Sequence, residues 1–519
     1  MRSVLIKVYR IFLLLWVMLL VLILLPNQFG LYILSILMIL FVLSSNKNIK
    51  SLIPKLKSVI KGLNPNYLFV GFLIILILIG YLLCVEPFYD AGRVYYAAVD
   101  VVEKGTISKI IVRDNKLIYP KGYSNNDYFL IYPNNFFMVM YLVPLFKFGN
   151  NLLRINFHSA DGWYYAIVIN CISIWISVLF GYCTIRKIKG QYLANCFLIS
   201  EVLFLPNYLC SFHVYSDTLS MPWVTLAIFL SFSVTKSETL WKKVLILMVN
   251  GVVLGIGFLI KGSVGILLIA IIIFIFICFE KDLFRSIVAV FLLLFGFMTV
   301  IHFENTFYKT SGWIDCTEQD RYKLPLIHWV MMSSEGGGGY DPSDFNYSLS
   351  FETLEERKKA DWEEYVRRVN AYGNPLNFVR AVISKLSNGM TDGRFYQQNS
   401  MEISYDKNKG IGTVVCSEGK FNRCLITYLH LYIAYLYFSI LLGALIRLKE
   451  GIFEKSVFFL QLTHFGIILF FALWEFKSRY LLNYSSVLVM LCTLETVGIT
   501  KIVHCFELIY LKLDKIKFG

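Results

Sequence analysis

Charge is scarce in this sequence. Only 16% of its 519 residues are Asp, Glu, Lys or Arg, and 57% are hydrophobic, whereas soluble domains average about 25% charged residues. A zinc-type C-x-x-C spacing is also missing. Most of the 11 cysteines sit in apolar runs, where a thiol acts as a small hydrophobe. Only Cys316, Cys416 and Cys424 fall in a polar segment, where a disulfide would have room to form. The apolar core behind Arg2, Lys7 and Arg10 lacks a small-residue cleavage site and runs into a second apolar segment. It therefore reads as a retained span rather than a signal peptide. No strong internal repeat is visible.

What is present is apolar runs too long for a soluble core, as at 11–25, 67–85, 162–182, 263–279 and 286–301. Runs of this length read as membrane spans. The net charge of +14 would suit a nucleic-acid partner. Its lysines and arginines lie mostly in short segments between spans, however, which is the positive-inside pattern of a multi-pass membrane protein. A nucleic-acid partner is excluded on that ground.

Those basic segments orient the chain. "NKNIKSLIPKLKSVIKG" (46–62), "IRKIKGQ" (185–191), "TKSETLWKK" (235–243), "EKDLFR" (280–285), "RLKEGIFEK" (447–455) and the tail "LKLDKIKFG" are expected to be cytoplasmic. The stretch 136–148, "FFMVMYLVPLFKF", is apolar enough to cross but short for a 30 Å hydrocarbon core. Were it to cross, every later basic loop would invert. It is therefore expected to lie in the outer interface. About twelve spans result, near 8–26, 29–46, 66–85, 162–184, 191–210, 217–234, 242–260, 263–279, 285–303, 425–446, 456–473 and 480–499. The expected fold class is an all-α polytopic membrane protein with both termini cytoplasmic. Its parts are two N-terminal spans with a basic loop (1–65), a core (66–303) with first outer loop 86–161, a mixed extracytoplasmic domain (304–424), and the last three spans (425–519).

Unusual polar residues gather on the outer side. In "VEPFYDAGRVYY" (85–96), Glu86 and Asp90 share a face if the stretch is helical, with Arg93 one turn on. An interfacial aromatic belt would explain the tyrosines but not an acid at the exit of a span. "DYFLIYPNNFFMVMYLVP" (127–144) offers Tyr132, Asn134 and Asn135 around Pro133; capping the following helix accounts for Asn135. "HVYSDTLSMPW" (213–223) places Asp217 at the start of a span, where an N-cap role suffices. "LIKGSVGIL" (259–267) leaves Lys261 in a tight outer turn, against the positive-inside bias. "PLIHWVMMSSEGGGGYD" (325–341) joins His328 and Trp329 to a glycine run, and "TDGRFYQQ" (391–398) reads as a polar, aromatic turn. "LWEFKSRYLL" (473–482) holds Glu475, Lys477 and Arg479 between two spans, and an arginine there can grip a phosphate bidentately.

The order of these segments is more specific than any one of them. An acid after an early span, a long first outer loop, then "YSDTLSMP", "IKGSVGILLIA" and a late "WEFKSRYLL" resembles the GT-C superfamily of membrane glycosyltransferases. More narrowly, it resembles the protein-mannosyltransferase and aminoarabinose-transferase branch and its Gram-positive relatives. "YPNN" and "HWVMM" are similar to segments of those relatives. The resemblance covers residues 66–303 well, the last three spans moderately and 304–424 loosely. It implies transfer of a sugar from a polyprenyl-phosphate donor to a cell-surface glycan, lipid or protein acceptor on the outer face, within membrane lipid. Asp90 would be the general base, and Lys261 and Arg479 would bind the donor phosphate. Tyr89, Tyr132, Asn134, Asp217, His328, Trp329 and Glu475 would contact substrate. Two departures qualify it. The paired acid that commonly follows the first-loop Asp is absent, since Ala91 and Gly92 come next, which leaves the metal question open. Two additional spans also precede the usual first one.

Two other classes remain compatible. A transporter or flippase of lipid-linked sugars needs polar groups near the bilayer midplane and often repeats, and Glu201 and His464 are the few polar candidates within spans. A cell-wall polysaccharide ligase or polymerase would use a similar lipid-linked substrate.

Overall fold

The structure, a computed structural model, describes residues 2–24, 29–45, 47–109, 124–279, 282–335, 337–395 and 398–495. The expected basic tail, residues 280 and 281, Gly336, and Tyr396 with Gln397 lie outside them. Among the described residues every regular element is helical. The longer helices are α1 (Arg2–Leu24), α2 (Phe29–Ser45), α3 (Lys47–Gly62), α4 (Pro65–Leu82), α5 (Tyr89–Lys104), α6 (Asn125–Ile131), α7 (Phe136–Leu153), α8 (Ala160–Lys189) and α9 (Gln191–Leu203). They continue as α10 (Met221–Lys236), α11 (Leu240–Ile260), α12 (Gly265–Cys278), α13 (Leu283–Thr310), α14 (Leu326–Met332), α15 (Leu354–Ala371) and α16 (Pro375–Thr391). The last are α17 (Asn422–Glu450), α18 (Lys455–Leu473) and α19 (Ser485–Glu495).

Nine helices among the described residues are long and apolar enough to cross a membrane, and Phe29–Leu40 and Gly262–Cys278 are shorter apolar helices. One of the nine, Pro133–Leu153, contains the stretch expected to lie in the interface, and the expected last span, 480–499, is only partly described, so the expected count of about twelve is not confirmed. One reason is visible at 191–210. There α9 stops at Leu203, Phe204 leaves helical geometry with ψ 86°, and a separate turn, Pro206–Leu209, follows; Pro206 has no amide with which to continue the ladder. The expected mixed outer domain is also corrected. α13 runs on to Thr310, and the described residues between it and α17 are helices and turns. Its charged helix begins at a capping box, Thr353 with Glu356. Cys316, Cys416 and Cys424 are free.

The helix ends sort by charge. Arg186, Lys187 and Lys189 close α8, Lys236 closes α10, and Arg447 and Lys449 close α17. The opposite end carries the outer-loop residues singled out above. α7 lies across that second end. Phe136 at its start meets Tyr308 in the last turn of α13, with ring centroids 4.9 Å apart. Tyr141 at its middle is 6.4 Å from Trp223 in the first turn of α10. Near its end, Leu145 accepts the Tyr165 hydroxyl of early α8 at 2.9 Å. A helix passing through the bundle would meet such ends at only one level. The chain before and after α7 also meets, as Glu103 bonds His158 at 3.1 Å and Tyr95 donates to the Phe157 carbonyl at 2.9 Å. α7 has 18 residues rather than the 13 or so read from the sequence. Its position follows from these contacts, not from its length.

α11 and α13 approach closely at two facing glycines. A Cβ on Gly251 would collide with the Leu293 carbonyl, and one on Gly296 with the Met248 carbonyl. Small residues allow such backbone contact where lipid offers no hydrophobic drive between helices.

Two outcomes follow. Single cysteines replacing Lys104 and Asn150 should react with an impermeant maleimide from one side of the membrane, and one replacing Lys189 only from the other. Reaction of 104 and 150 from opposite sides would put α7 through the bilayer. Gly251→Val should lower thermal stability in detergent by an overpacking penalty of about 1–3 kcal/mol. Gly71→Val, where a Cβ meets nothing within 4 Å, should be nearly silent in the same melts.

Candidate active site

α4 begins at a built cap, with Asn64 accepting from the Asn66 amide and Pro65 in the first turn. After it, residues 84–88 leave helical geometry and α5 restarts at Tyr89. Tyr89 has φ +52°, a left-handed conformation that costs a non-glycine residue energy and recurs at functional sites. The restart corrects one expectation. Glu86 precedes the helix, so it does not share a helical face with Asp90, and it accepts the Tyr96 hydroxyl at 2.9 Å. Asp90 occupies the first turn of α5, where the helix dipole favours an anion.

Asp90 is part-exposed yet closely surrounded by protein. Burial raises its carboxyl above the ordinary carboxylate range; Arg479, the Tyr128 hydrogen bond, Arg93 and Lys477 pull back towards the charged form. The Tyr128 hydroxyl donates to Asp90 Oδ1 at 3.1 Å and accepts from Asn135 Nδ2 at 2.7 Å, which fixes the direction of both bonds. Asn135 thus makes no side-chain cap on α7, and it, rather than Asn134, joins the cluster. Asn134 donates only to Asn135, at 3.1 Å. Arg93 is turned to Asn125 Oδ1 at 2.9 Å. α6, which presents Asn125 and Tyr128, is fixed by a capping box between Ser124 and Asp127.

Asp217 lies inside a short helical turn after Tyr215, so it is not an N-cap. It forms a buried ion pair with Lys261, whose side chain is 12% exposed. Lys261 is accordingly already answered by a carboxylate. Arg479 is not. Among the described residues its only hydrogen-bond partner is His213 Nε2, 3.4 Å from Nη1, and its Nε is buried without a partner. A guanidinium only donates, so His213 Nε2 accepts and its proton sits on Nδ1. Burial and the neighbouring Arg479 push His213 down to about 3, which keeps it neutral. The Tyr480 ring lies 5.0 Å from Lys261 Nζ and 5.3 Å from the Arg479 guanidinium carbon, and its hydroxyl donates to Glu475 at 2.8 Å. Glu475 is 4% exposed, and burial raises its carboxyl.

Some expected residues fall elsewhere. His328 is fully buried in the outer segment. Ser348 donates to Asp361 at 2.6 Å, so His328 Nδ1 donates to Ser348 at 2.7 Å, and burial pushes its imidazole down to about 4. It braces that segment and does not reach the cluster. Trp329 has the Tyr132 ring 5.9 Å away, tilted against it, and the Trp474 ring 6.3 Å away, stacked on it. Tyr89 packs edge-on to Phe88 at 5.1 Å. Two cavities adjoin the cluster and share Phe212 and His213. One is lined by Phe88, Ala91 and Trp163 among others, and one by Asp217, Arg479 and Phe395 among others. Among the described residues no three His, Cys, Asp or Glu side chains gather as a metal site.

Sequence reasoning singled out the segments carrying His213 and Lys477 without giving either residue a role, and it missed Tyr128, Asn135 as a network member, and Tyr480 as parts of this cluster. Nothing in the sequence marks the tyrosines, because the protein has 33 of them.

No curated protein matches the sequence. Among solved structures, the fold is similar to that of archaeal oligosaccharyltransferase AglB from Archaeoglobus fulgidus, in complex with an inhibitory peptide and a dolichol-phosphate. That similarity has a TM-score of 0.40 and 13% sequence identity over 82% of this chain, which spans 50% of the length of AglB. A family described as "Conserved hypothetical integral membrane protein" matches residues 31–498, a range that takes in α5, the Asp217–Lys261 pair and Arg479 alike, and the chain belongs to that family.

Proposed function

We propose that this protein is a membrane glycosyltransferase that moves a sugar from a polyprenyl-phosphate donor to a hydroxyl or amine acceptor at the cell surface. One observation carries the reading. A carboxylate with a raised affinity for protons, Asp90, and a part-buried guanidinium with a buried, unpartnered Nε, Arg479, lie within electrostatic reach of each other at the end of the bundle opposite the basic helix ends. A lipid-phosphate donor brings its leaving group to that level, and its tail stays among apolar helices.

In this reading Arg479 binds the donor phosphate and stabilises the charge it gains as the sugar–phosphate bond breaks. Tyr128 holds Asp90 Oδ1, leaving Oδ2 to take the acceptor proton as the new bond to the anomeric carbon forms. Balance is complete: one glycosidic bond forms, one C–O bond to phosphate breaks, and the proton passes to Asp90. The Asp217–Lys261 pair is a supporting element that keeps a second positive group near the phosphate without leaving it unpaired. Glu475 orders the segment carrying Arg479 through Tyr480. The site is assigned to the extracytoplasmic side, with both termini cytoplasmic, because the basic helix ends then obey the positive-inside rule. The polar residues that would suit a transporter are held in the helix packing: Glu201 accepts from Asn207 at 3.0 Å and His464 from Trp16 at 3.3 Å.

Asp90→Asn should reach the membrane at wild-type level and lose transfer from a radiolabelled polyprenyl-phosphate sugar by at least about 10²-fold. Glu86→Gln should keep substantial activity; near-wild-type transfer by Asp90→Asn would remove the base. Arg479→Ala should impair donor use far more than Lys243→Ala, with poor rescue by lysine, which lacks the planar fork. The base works only deprotonated, so the rate should fall as pH drops through the Asp90 pKa. Because burial raises that pKa, the acid limb should lie above the ordinary carboxylate value of 3.8. A kcat/KM profile flat down to that pH would contradict the assignment.

A further inference from the structure

Lys477 ends a short strap, 474–477, between α18 and the turn Ser478–Tyr484, and Arg479 lies in the first residues of that turn. A strap of this kind has no helical ladder to hold it. The last carbonyls of α18 would also be left without partners. Side chains and backbone from the outer segment supply both needs. Lys385 of α16 donates from Nζ to the Ala472 carbonyl at 3.0 Å and the Trp474 carbonyl at 3.2 Å. Ser333 Oγ donates to the Leu473 carbonyl at 2.8 Å, and the Phe476 amide donates to the Gly338 carbonyl at 2.8 Å. At the far end, Ser478 Oγ donates to Asp392 Oδ2 at 2.8 Å, while Arg394 Nε holds the other oxygen of Asp392 at 2.7 Å.

Lys385 is the unusual member. It is 5% exposed, and among the described residues no carboxylate lies within ion-pair distance of it. A buried ammonium without a counter-ion is costly, and it is tolerated here because carbonyls at the negative end of a helix surround it. The surface is shaped around these contacts. A Cβ on Gly338, whose φ is +68°, would collide with the Lys385 stem, and a Cβ on Gly389 would collide with the Phe476 ring. The second half of α16 is therefore fitted to the strap, from Lys385 to Asp392 just past its last residue.

We infer that Lys385 and Asp392 are positioning residues that set the height of Arg479 and Lys477 opposite Asp90, so that the outer segment, rather than the bundle, fixes the phosphate-binding geometry. The functional half of this inference rests on the reading of Arg479 as the phosphate ligand; the clamp itself does not.

The test uses the full-length protein in detergent with farnesyl phosphate as probe. Lys385→Met keeps the stem and removes the donors, and Lys385→Arg restores them. Lys385→Met should speed amide hydrogen exchange in 474–480 while leaving 457–468 unchanged, and should weaken farnesyl phosphate binding about tenfold, the effect of losing a hydrogen bond to a charged group. In turnover it should raise KM for the donor with kcat nearly unchanged, and Lys385→Arg should recover both readouts. Asp392→Ala should give the same pattern from the other end of the strap and serves if Lys385→Met does not fold. Unchanged exchange in 474–480 in both variants would overturn the clamp. If Arg479→Ala itself binds farnesyl phosphate like the wild type, the phosphate reading fails, and the exchange result alone decides whether the clamp exists.

Discussion

A guanidinium enclosed by protein at the end of an apolar bundle is the constraint around which the site is built. Arg479 cannot discharge, so its surroundings must answer the charge or leave it poised for a ligand. The structure does both by halves. His213 stays neutral and accepts one donor, the Tyr480 ring offers its face, and Asp90 and Asp217 contribute at longer range. The Nε is left without a partner. Lys261, by contrast, is paired with the Asp217 carboxylate. Two cations that look alike in the sequence therefore differ in availability, and that difference directs the reading towards one anionic group bound at Arg479.

Everything outside the bundle helps keep that charge in place. α7 roofs the ends of α8, α10 and α13 and carries Asn135 to Tyr128, while α5, packed along it, carries Asp90. The outer segment is ordered by a buried arginine of its own. Arg357 donates to the carbonyls of Phe351 at 3.0 Å and Lys323 at 2.7 Å, pulling separate turns onto α15. His328 and Asp361 brace the same unit through Ser348. The unit thus has its own polar framework, and through α16 it reaches the strap.

Membrane spans were legible because lipid enforces a simple rule: long apolar runs, basic residues at one end. That rule located α4, α8, α10, α11, α13, α17 and α18 to within a few residues. It read one span through 191–210, where α9 ends before Pro206, because hydropathy averages over a break that a proline, lacking an amide, does not bridge. It also assigned a mixed architecture to 304–424, where polarity without a clear period leaves helices hard to tell from loops. Asp90, Lys261, Asp217, Glu475 and Arg479 stood out as charges against the positive-inside trend or at span exits. Asn135 was read as a cap since amides at helix starts usually are caps; its bond to Tyr128 depends on a contact made only when α6 folds back.

By itself, the sequence determined that the chain is a helical membrane protein, where most spans lie, and which exposed-side charges are out of place, since each of these follows from local composition. Only the tertiary structure decided which charges are paired. Asp217 and Lys261 lie 44 residues apart and Tyr128 and Asp90 lie 38 apart, so their pairing depends on how helices and loops pack rather than on any pattern along the chain. It also decided that Glu86 serves Tyr96 rather than the site, and that His328 belongs to the interior of the outer segment. Hydrogen bonds and ion pairs act over about 3 Å, and which groups come that close is a property of the folded chain.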